Sequence, residues 1–402
     1  MTLLEVSLGR TSVGWLAFRD GRSTFGFDGG YLEMPGRPIL GQWFEDRLDR
    51  RTREFRWAVP PWFENLLPER GGRVRRRLTR EIGCAEEDDP AILCALGADL
   101  PGAVRVIQGT WEPSPAAGSV VAEAVPVLSP GLRASLGGMQ LKFSLSGSPD
   151  RLTLPVHDHE DGQWILKVAD EATFPELAQN EAALSRWVRA AGFDVPEVHV
   201  VPRDGFPDLG ALGPTVRWGF LIRRYDRTAS GRVHQEDFLQ VLGRPASAKY
   251  DATHALGLGQ LVRQILGPSG VREYLRRTVV VVATGNGDAH LKNWSLLYPN
   301  GIQPTFTPLY DQVATIAYPD LGRSLALRLG NARDFGEVSS EVFRFAATKL
   351  GFDDVDQVVD EVLTALASSF DPEAHGVPPA VLGALRDHWR RVPLLAGRTL
   401  LR

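Results

Sequence analysis

The chain has 402 residues, a length at which two or three domains are expected. Hydrophobic residues make up 43% and charged residues 23%, and the net charge of −4 argues against a general nucleic-acid or membrane binder. The two cysteines, Cys84 and Cys94, have no metal or redox motif around them, and neither a signal peptide nor a long apolar segment is visible. These features predict a cytoplasmic protein with no membrane partner.

The first part of the chain is predicted to be β-rich and then helical. Residues 13–18 and 23–27 flank an Asp20-Gly21 turn and predict a hairpin. Helical patterns begin near Pro60, and another helix is expected to start at Asp88 and end before Gly97. Residues 73–80 hold five arginines, which suit either a solvated helix face or a patch that binds DNA phosphates or an acidic partner.

A Pro/Ala/Ser/Gly-rich stretch at 111–130 is the best linker candidate, and it places a domain boundary near residue 125. A Gly-Gly pair follows within residues 135–142, close to Lys142. Bare N–H groups in such a loop can point at phosphate oxygens, although Gly-Gly also makes ordinary hairpin turns.

A strand lysine and a helix glutamate then follow in order. Lys167 is the one charge in the short strand 163–168, and Glu181 lies on the apolar face of a helix predicted at 176–191. An unpaired carboxylate on such a face would be costly, so a Lys–Glu pair that orients nucleotide phosphates is one interpretation. An unrelated surface salt bridge is the other.

The stretch from Gly285 to Asp311 carries the most chemistry. Asp288 and Asn293 are five residues apart, an Asn300-Gly301 turn between two apolar runs predicts a hairpin, and Asp311 follows it. This order is typical of phosphotransferases built like protein kinases, in which carboxylate and amide oxygens hold Mg²⁺. A solvated Asn/Asp/Gly-rich turn is the alternative.

Several motifs in one order resemble the HipA family, serine/threonine kinases that act as toxins of bacterial toxin–antitoxin pairs. The resemblance covers nearly the whole chain. The matching segments are residues 62–68 (WFENLLP), 135–142 (SLGGMQLK), 165–167, 180–181, 226–227, 235–237, 248–250, 287–293 (GDAHLKN) and 308–311 (PLYD).

The resemblance implies a role for each matched residue. Asp288 would be the catalytic base, and Asn293 and Asp311 would hold Mg²⁺. Ser135 would be the autophosphorylation site, where roughly two added negative charges beside the ATP site would inactivate the enzyme by ejecting its loop. The remaining residues would contact ATP: Gly137, Gly138, Met139, Gln140, Leu141, Lys142, Lys167, Glu181, Arg223, Arg224, Tyr225, His290, Tyr310.

The resemblance also implies an α+β, bilobal protein-kinase-like fold. A β-rich N-lobe (residues 126–225) and a mostly helical C-lobe (226–402) would follow an N-terminal α+β subdomain (1–125). The apolar Met139 and Leu141 depart from the more polar loop that is common in the family. The β-branched run 279–282 favours a strand, whereas the resemblance implies a helix, which we expect because packing overrides propensity.

The favoured function is an ATP- and Mg²⁺-dependent kinase whose substrate is a translation component such as an aminoacyl-tRNA synthetase. Its implied partner is an antitoxin of HipB type, through which it would meet DNA. A small-molecule kinase of the aminoglycoside type and a catalytically silent co-repressor are the alternatives. Neither explains both the large N-terminal extension and the intact set of Asp288, Asn293 and Asp311.

Overall fold

The computed structural model describes residues 2–48, 51–108, 140–155, 161–210 and 212–397. The predicted linker, the boundary near 125 and the segment 135–139 lie outside these ranges. The architecture is the predicted α+β arrangement, with an N-terminal domain, a small β-rich lobe and a mostly helical lobe. None of the helices in the described ranges combines the length and apolarity needed to cross a bilayer.

The N-terminal domain is built on an antiparallel five-stranded sheet in the order β4-β3-β2-β1-β5. Its strands are β1 (Thr2–Leu8), β2 (Thr11–Arg19), β3 (Arg22–Phe27), β4 (Thr52–Phe55) and β5 (Val104–Ile107). The predicted hairpin is β2–β3. Asp20 and Gly21 both have positive φ, 51° and 72°, as a two-residue turn between twisted strands requires.

Five helices cover this sheet: α1 (Gly29–Glu33), α2 (Gln42–Glu45), α3 (Pro61–Glu64), α4 (Arg73–Ile82) and α5 (Asp89–Leu96). The arginine-rich run forms α4, with Val74 and Leu78 buried as the solvated-face interpretation expects. Arg75, however, is buried as well and contacts Asp89, while Arg77 bonds the Leu209 carbonyl in the small lobe. Two of the five arginines therefore make internal contacts, while Arg73, Arg76 and Arg80 are exposed.

The small lobe is a second antiparallel sheet, in the order β7-β6-β8-β10-β9, with one helix packed on it. Its elements are β6 (Leu141–Ser148), β7 (Arg151–Thr153), β8 (Trp164–Val168), α6 (Leu177–Ala190), β9 (Val198–Pro202) and β10 (Trp218–Arg223). Leu141 and Lys142, predicted in a phosphate loop, are the first residues of β6. They pair with Val168 and Lys167 of β8, so the sheet fixes their positions.

The large lobe is mostly helical. Its helices are α7 (Phe238–Val241), α8 (Ala255–Thr284), α9 (Ser340–Lys349), α10 (Val355–Ser368), α11 (Pro372–His375) and α12 (Pro379–Arg391). Its short strands are β11 (Arg227–Thr228), β12 (Gly231–Arg232), β13 (His234–Asp237), β14 (Ser295–Tyr298), β15 (Thr305–Phe306), β16 (Ser324–Leu329) and β17 (Ala332–Asp334).

The β-branched run 279–282 lies in the last turns of α8, as expected from the resemblance and against local propensity. Val279, Val280 and Val282 are fully buried in the core of this lobe, and that burial outweighs the small helix penalty of valine. α8 is also broken at Gly267, where φ is 69° directly before Pro268.

The hairpin predicted around Asn300-Gly301 exists, but its second strand is shorter than expected. Leu296 pairs with Phe306, and only Thr305–Phe306 is extended. Pro304 and Pro308 flank this strand and have no N–H to donate to a ladder, which limits its length. Asn300 Oδ1 instead accepts bonds from the backbone N–H groups of Ile302 and Gln303 at 3.0 and 2.8 Å.

Candidate active site

An open cleft lies where the N-terminal domain, the β6–β10 sheet and the large lobe meet. Most of the predicted site residues that the structure describes line it. The lining includes Asn65, Leu66, Glu69, Lys142, Ile165, Lys167, Ile222, Arg223, Arg224, Tyr225, Gln235, His290, Lys292, Asn293, Tyr310 and Asp311. Ser135, Gly137, Gly138 and Met139 lie outside the described residues, so their predicted roles stay predictions.

Lys167 connects the two lobes at the centre of the cleft. Its Nζ lies 2.7 Å from Glu181 Oε2 on α6, and it also contacts Asp311 Oδ1 from the large lobe. The predicted Lys–Glu ion pair is therefore present, and Gln140 Nε2 donates to the other oxygen of Glu181 at 2.6 Å. Burial disfavours the ammonium, but the charges of Asp311 and Glu181 outweigh it and raise the pKa of Lys167 above its ordinary value.

Asp311 and Asn293 form the candidate metal site. Asn293 ends a 3-10 turn, Leu291–Asn293, and its Nδ2 donates to Asp311 Oδ2 at 3.2 Å. Its Oδ1 is buried and has no hydrogen-bond partner among the described residues. Although burial opposes ionisation, the charges of Lys167 and Lys142 hold the pKa of Asp311 well below its ordinary value. A carboxylate beside an unsatisfied amide oxygen fits a hard cation such as Mg²⁺.

Two glycines shape the loop that presents Asp288. Gly285 ends α8 in the left-handed region, with φ of 64°, which a side chain rarely adopts. A Cβ at Gly287 would lie 2.7 Å from the carbonyl oxygen of Ser324, so only glycine allows the loop to approach β16 this closely. Asn286 braces the turn, because its Nδ2 donates to the Asp311 carbonyl at 2.9 Å.

The Asp288 side chain is not among the residues that line the cleft, although His290 and Asn293 of the same loop are, and it accepts a hydrogen bond from Tyr250. The phenolic oxygen lies 2.6 Å from Asp288 Oδ1. Asp288 retains exposed surface, but partial loss of solvent in the cleft raises the pKa of its carboxyl, and the bond from Tyr250 opposes this shift. A carboxylate that has a raised pKa and accepts a hydrogen bond from a hydroxyl group is suited to general-base chemistry.

His290 and Lys142 lie on either side of this centre. Burial, reinforced by the nearby charge of Lys249, lowers the pKa of His290 to about 3, so its imidazole is neutral. Its ring meets that of Tyr250 edge-on at 5.2 Å. Lys142 is buried, and burial lowers the pKa of its ammonium. Its position on β6 turns it toward the same cleft as Lys167.

The side chains of residues 223–225, which were predicted to frame adenine, differ in what they contact. Tyr225 stacks on Tyr310 with ring centroids 5.9 Å apart, and both line the cleft. The Arg224 guanidinium is buried in an ion cluster instead, 3.0 Å from Asp99 Oδ1 and 3.0 Å from Asp226 Oδ2. Arg227 joins this cluster, 2.8 Å from Asp99. Arg224 therefore links the lobes to the N-terminal domain, and its side chain is committed to that contact.

Sequence reasoning missed the N-terminal residues that reach the catalytic loop. Lys292 Nζ, within the GDAHLKN segment, bonds the Asn65 carbonyl at 2.7 Å, and Lys249 Nζ lies 2.7 Å from Glu69 Oε1. The motif at residues 62–68 was identified only as a family signature. The contacts of Asn65 and Glu69 join residues that are 227 and 180 positions apart in the sequence. No periodic pattern in the sequence indicates such contacts.

Two family models match consecutive parts of the chain. The family model of the HipA N-terminal domain matches residues 4–107, and that of the HipA-like C-terminal domain matches residues 134–370. A putative kinase of Sinorhizobium fredii, Y4dM, is 35% identical over 358 residues, covering 87% of this chain and 86% of that protein. A second putative kinase of that organism, Y4mE, is 30% identical, with 76% of each chain covered.

A solved structure shows the same fold. HipA of Shewanella oneidensis MR-1, determined in complex with HipB and operator DNA, superposes with a TM-score of 0.73 at 18% identity, covering 97% of this chain and 96% of that one. The fold and two consecutive family matches over most of the sequence lead to one assignment. The chain belongs to the HipA family.

Proposed function

We propose that this protein is a HipA-type kinase that transfers the γ-phosphoryl group of ATP to a serine or threonine hydroxyl of another protein. The observation that carries the proposal is the position of Lys167, held between Glu181 of the small lobe and Asp311 of the large lobe. A lysine fixed by a helix glutamate beside a metal-binding aspartate is the arrangement that orients nucleotide phosphates in kinase-like folds. The two putative kinases of Sinorhizobium fredii support the same reaction class.

The reacting groups take the following roles. Asp288 accepts the proton as the acceptor O–H bond breaks, a new O–P bond forms, and the bond between the γ-phosphorus and its bridging oxygen breaks to release ADP. Lys167 and Lys142 hold phosphate oxygens, and the neutral His290 lies beside them. Tyr225 and Tyr310 form the aromatic wall that meets adenine.

Asn293 Oδ1 and the Asp311 carboxylate would hold Mg²⁺. The fit rests on the buried, unsatisfied Oδ1 of Asn293 and on the ionised state of Asp311. When bound, the ion neutralises charge on the phosphate oxygens. Two protein ligands suffice, because Mg²⁺ commonly completes its shell with phosphates and water.

The biological setting that fits this site is a toxin–antitoxin pair. The HipA of Shewanella oneidensis was solved with HipB and operator DNA, and we propose an antitoxin of HipB type as partner here, with DNA bound mainly through it. The proposed substrate is a translation component of the aminoacyl-tRNA synthetase type, whose phosphorylation arrests growth. Autophosphorylation of Ser135 would switch the enzyme off.

The test is a labelled-ATP assay with wild type, Asp288→Asn and Asp311→Ala. Asp353→Asn, on an exposed loop of the large lobe, is the matched control. We expect label on protein with wild type and the control, and a loss of about 10²-fold or more with either site variant. Mass spectrometry then locates the phosphate. Nucleotide binding without transfer to protein would indicate a small-molecule kinase, and no nucleotide binding would leave only a silent co-repressor.

A further inference from the structure

A second groove lies between the N-terminal domain and the segment that precedes α8. One wall comes from the N-terminal domain, with Trp57, Glu64 and Arg70, and the other comes from the segment before α8, with Ala246, Ser247 and Tyr250. Glu69 lines both this groove and the nucleotide cleft. We call it the acceptor groove. Its lining includes Tyr250, whose hydroxyl contacts the Asp288 carboxylate.

Tyr250 lines the acceptor groove. Its hydroxyl donates to Asp288 Oδ1 at 2.6 Å, which is the contact that a phosphoacceptor hydroxyl must make with its general base. Because the Tyr250 residue is 48% exposed, its ring can rotate toward solvent without leaving a buried cavity. The tyrosine hydroxyl thus marks where an incoming serine or threonine hydroxyl would lie.

The charges along the groove leave one acid unmatched. Asp89 contacts both Arg70 and Arg75, and Glu69 pairs with Lys249 at 2.7 Å. Glu64 is half-buried and makes no salt bridge within the described part of the chain. The cations nearest to it, Arg70, Arg75 and Lys292, act on it only through their charges, because each contacts another acid, Asp89 or Asp237. Partial burial of a carboxylate is unfavourable unless a cation or donors compensate it, so a cationic side chain in the groove would be attracted to this position.

Trp57 gives the groove an aromatic side chain. Trp57 is 37% exposed, and the guanidinium of Arg56 lies over its ring at 4.8 Å from the centroid. An exposed tryptophan face binds apolar and cationic side chains alike. The groove therefore offers three features: an aromatic side chain, a carboxylate without a salt bridge, and the hydroxyl position of Tyr250 beside Asp288.

We propose that the acceptor groove binds an extended segment of the protein substrate, with a serine or threonine displacing Tyr250 from Asp288 and a nearby lysine or arginine paired with Glu64. This inference rests on the proposed kinase function. It adds a rule for substrate choice: the groove selects acceptor segments that carry a positive charge beside the hydroxyl.

The test compares two short fluorescein-labelled peptides, each with one serine, flanked by lysine and arginine in one and by glutamate in the other. Fluorescence anisotropy with the full chain and a Mg²⁺-loaded, non-hydrolysable ATP analogue gives the affinities. Wild type should bind the basic peptide at least about tenfold more tightly, as expected for one partly desolvated ion pair. Glu64→Gln should remove most of that preference, and Glu64→Lys should reverse it. Glu81→Gln, an exposed acid on α4 outside the groove, is the control and should keep it.

Tyr250→Phe tests separately whether the Tyr250 hydroxyl occupies the position of the acceptor hydroxyl. Because no hydrogen bond to Asp288 then has to break, the basic peptide should bind a few-fold more tightly than to wild type. An unchanged affinity would show that Tyr250 does not occupy the acceptor position. Thermal unfolding of each variant establishes that it is folded.

The outcomes for the groove and for the kinase function are distinguishable. Equal affinity of wild type for both peptides, no binding of either, or an unaltered preference in folded Glu64→Gln would overturn the groove proposal. Nucleotide binding is measured in the same samples. If labelled ATP is transferred to protein while the peptides behave in one of these ways, the kinase function stands and only the groove proposal fails.

Discussion

The indole N–H of Trp62 in the N-terminal domain donates a hydrogen bond to Glu236 Oε2 in the large lobe at 3.0 Å. The other oxygen of Glu236 accepts from the backbone N–H of Gln42 at 2.8 Å and from the Tyr298 hydroxyl at 2.5 Å. Burial nevertheless raises the pKa of Glu236 to about 7. A buried acid therefore organises the boundary between the two family segments, and two of its three donors come from the N-terminal domain.

Removing the indole donor is expected to weaken this boundary. Trp62→Phe keeps an aromatic ring but leaves Glu236 Oε2 without its bond, which should lower the free energy of unfolding by roughly 2 kcal/mol or more. Trp218→Phe is the control, because Trp218 is 37% exposed. Urea unfolding of both variants measures the difference. Equal stabilities would show that the Trp62–Glu236 bond adds nothing.

Lys167→Met is expected to damage both stability and activity, for different reasons. It leaves Glu181 and Asp311 facing each other without their shared cation, a loss on the order of 3 kcal/mol. Adding Glu181→Gln removes one of the stranded charges, so the double variant should recover part of the stability while remaining inactive in phosphoryl transfer. A double variant no more stable than Lys167→Met would contradict this account of the site.

Asn293→Ala should raise the Mg²⁺ requirement for nucleotide binding. The change deletes the buried Oδ1 that has no partner within the described ranges, while Asp311 remains. We expect the Mg²⁺ concentration for half-maximal binding of a fluorescent ATP analogue to rise about tenfold or more, because one side-chain oxygen of the metal site is lost. Asn331→Ala, in the exposed β16–β17 turn, is the control. An identical Mg²⁺ dependence in both variants would exclude Asn293 from the metal site.

Stability should fall in acid because of His388. Its Nε2 donates to the Val282 carbonyl at 2.7 Å, and its buried Nδ1 has no hydrogen-bond partner in the part of the chain described. Burial lowers the pKa of His388 to about 4, below the ordinary 6.5, so the unfolded chain takes up this proton first. The neutral His388 contributes its full share to the free energy of unfolding above pH 6.5. This share is lost as pH falls through about 4, so the free energy of unfolding decreases by roughly 3 kcal/mol.

The measurement is the free energy of unfolding against pH for wild type and His388→Gln. The glutamine keeps a donor for Val282 but has no titrating group, so its curve should be flatter across this interval. Trp389 Nε1 also donates to the α8 terminus, at the Ala283 carbonyl, and remains in both proteins. Parallel curves would assign the acid sensitivity to other groups.

Local pattern was enough to predict the features of the cleft that depend on spacing. Glu181 was expected opposite Lys167 because helix periodicity turns it inward. In the structure, Lys167 Nζ lies 2.7 Å from Glu181 Oε2. The five-residue spacing of Asp288 and Asn293, with the hairpin after it, brought Asn293 and Asp311 together as expected. Periodicity and turn chemistry act over short stretches, so these relationships leave readable signals.

Other features could not be predicted, because polar contacts between distant segments follow no period. The Lys292–Asn65 bond spans 227 positions, and nothing near either residue indicates it. Arg75 lies in a run typical of a solvated face, yet its guanidinium is buried against Asp89. Arg224 was expected at the adenine site from the resemblance; it lines the cleft, and its bond to Asp99 of the N-terminal domain is the contact that the sequence does not indicate.

The ion cluster of Asp99, Arg224, Asp226 and Arg227 has a consequence for how the chain can be divided. Asp99 belongs to the N-terminal family segment, and its partners belong to the other. Expressed as separate polypeptides, one piece would leave the Asp99 carboxylate without its arginine partners, and the other would keep two guanidinium groups with Asp226 and the more distant Asp161 but without Asp99. Each piece would be less soluble and less stable than its size suggests. The two segments therefore form one interdependent folding unit.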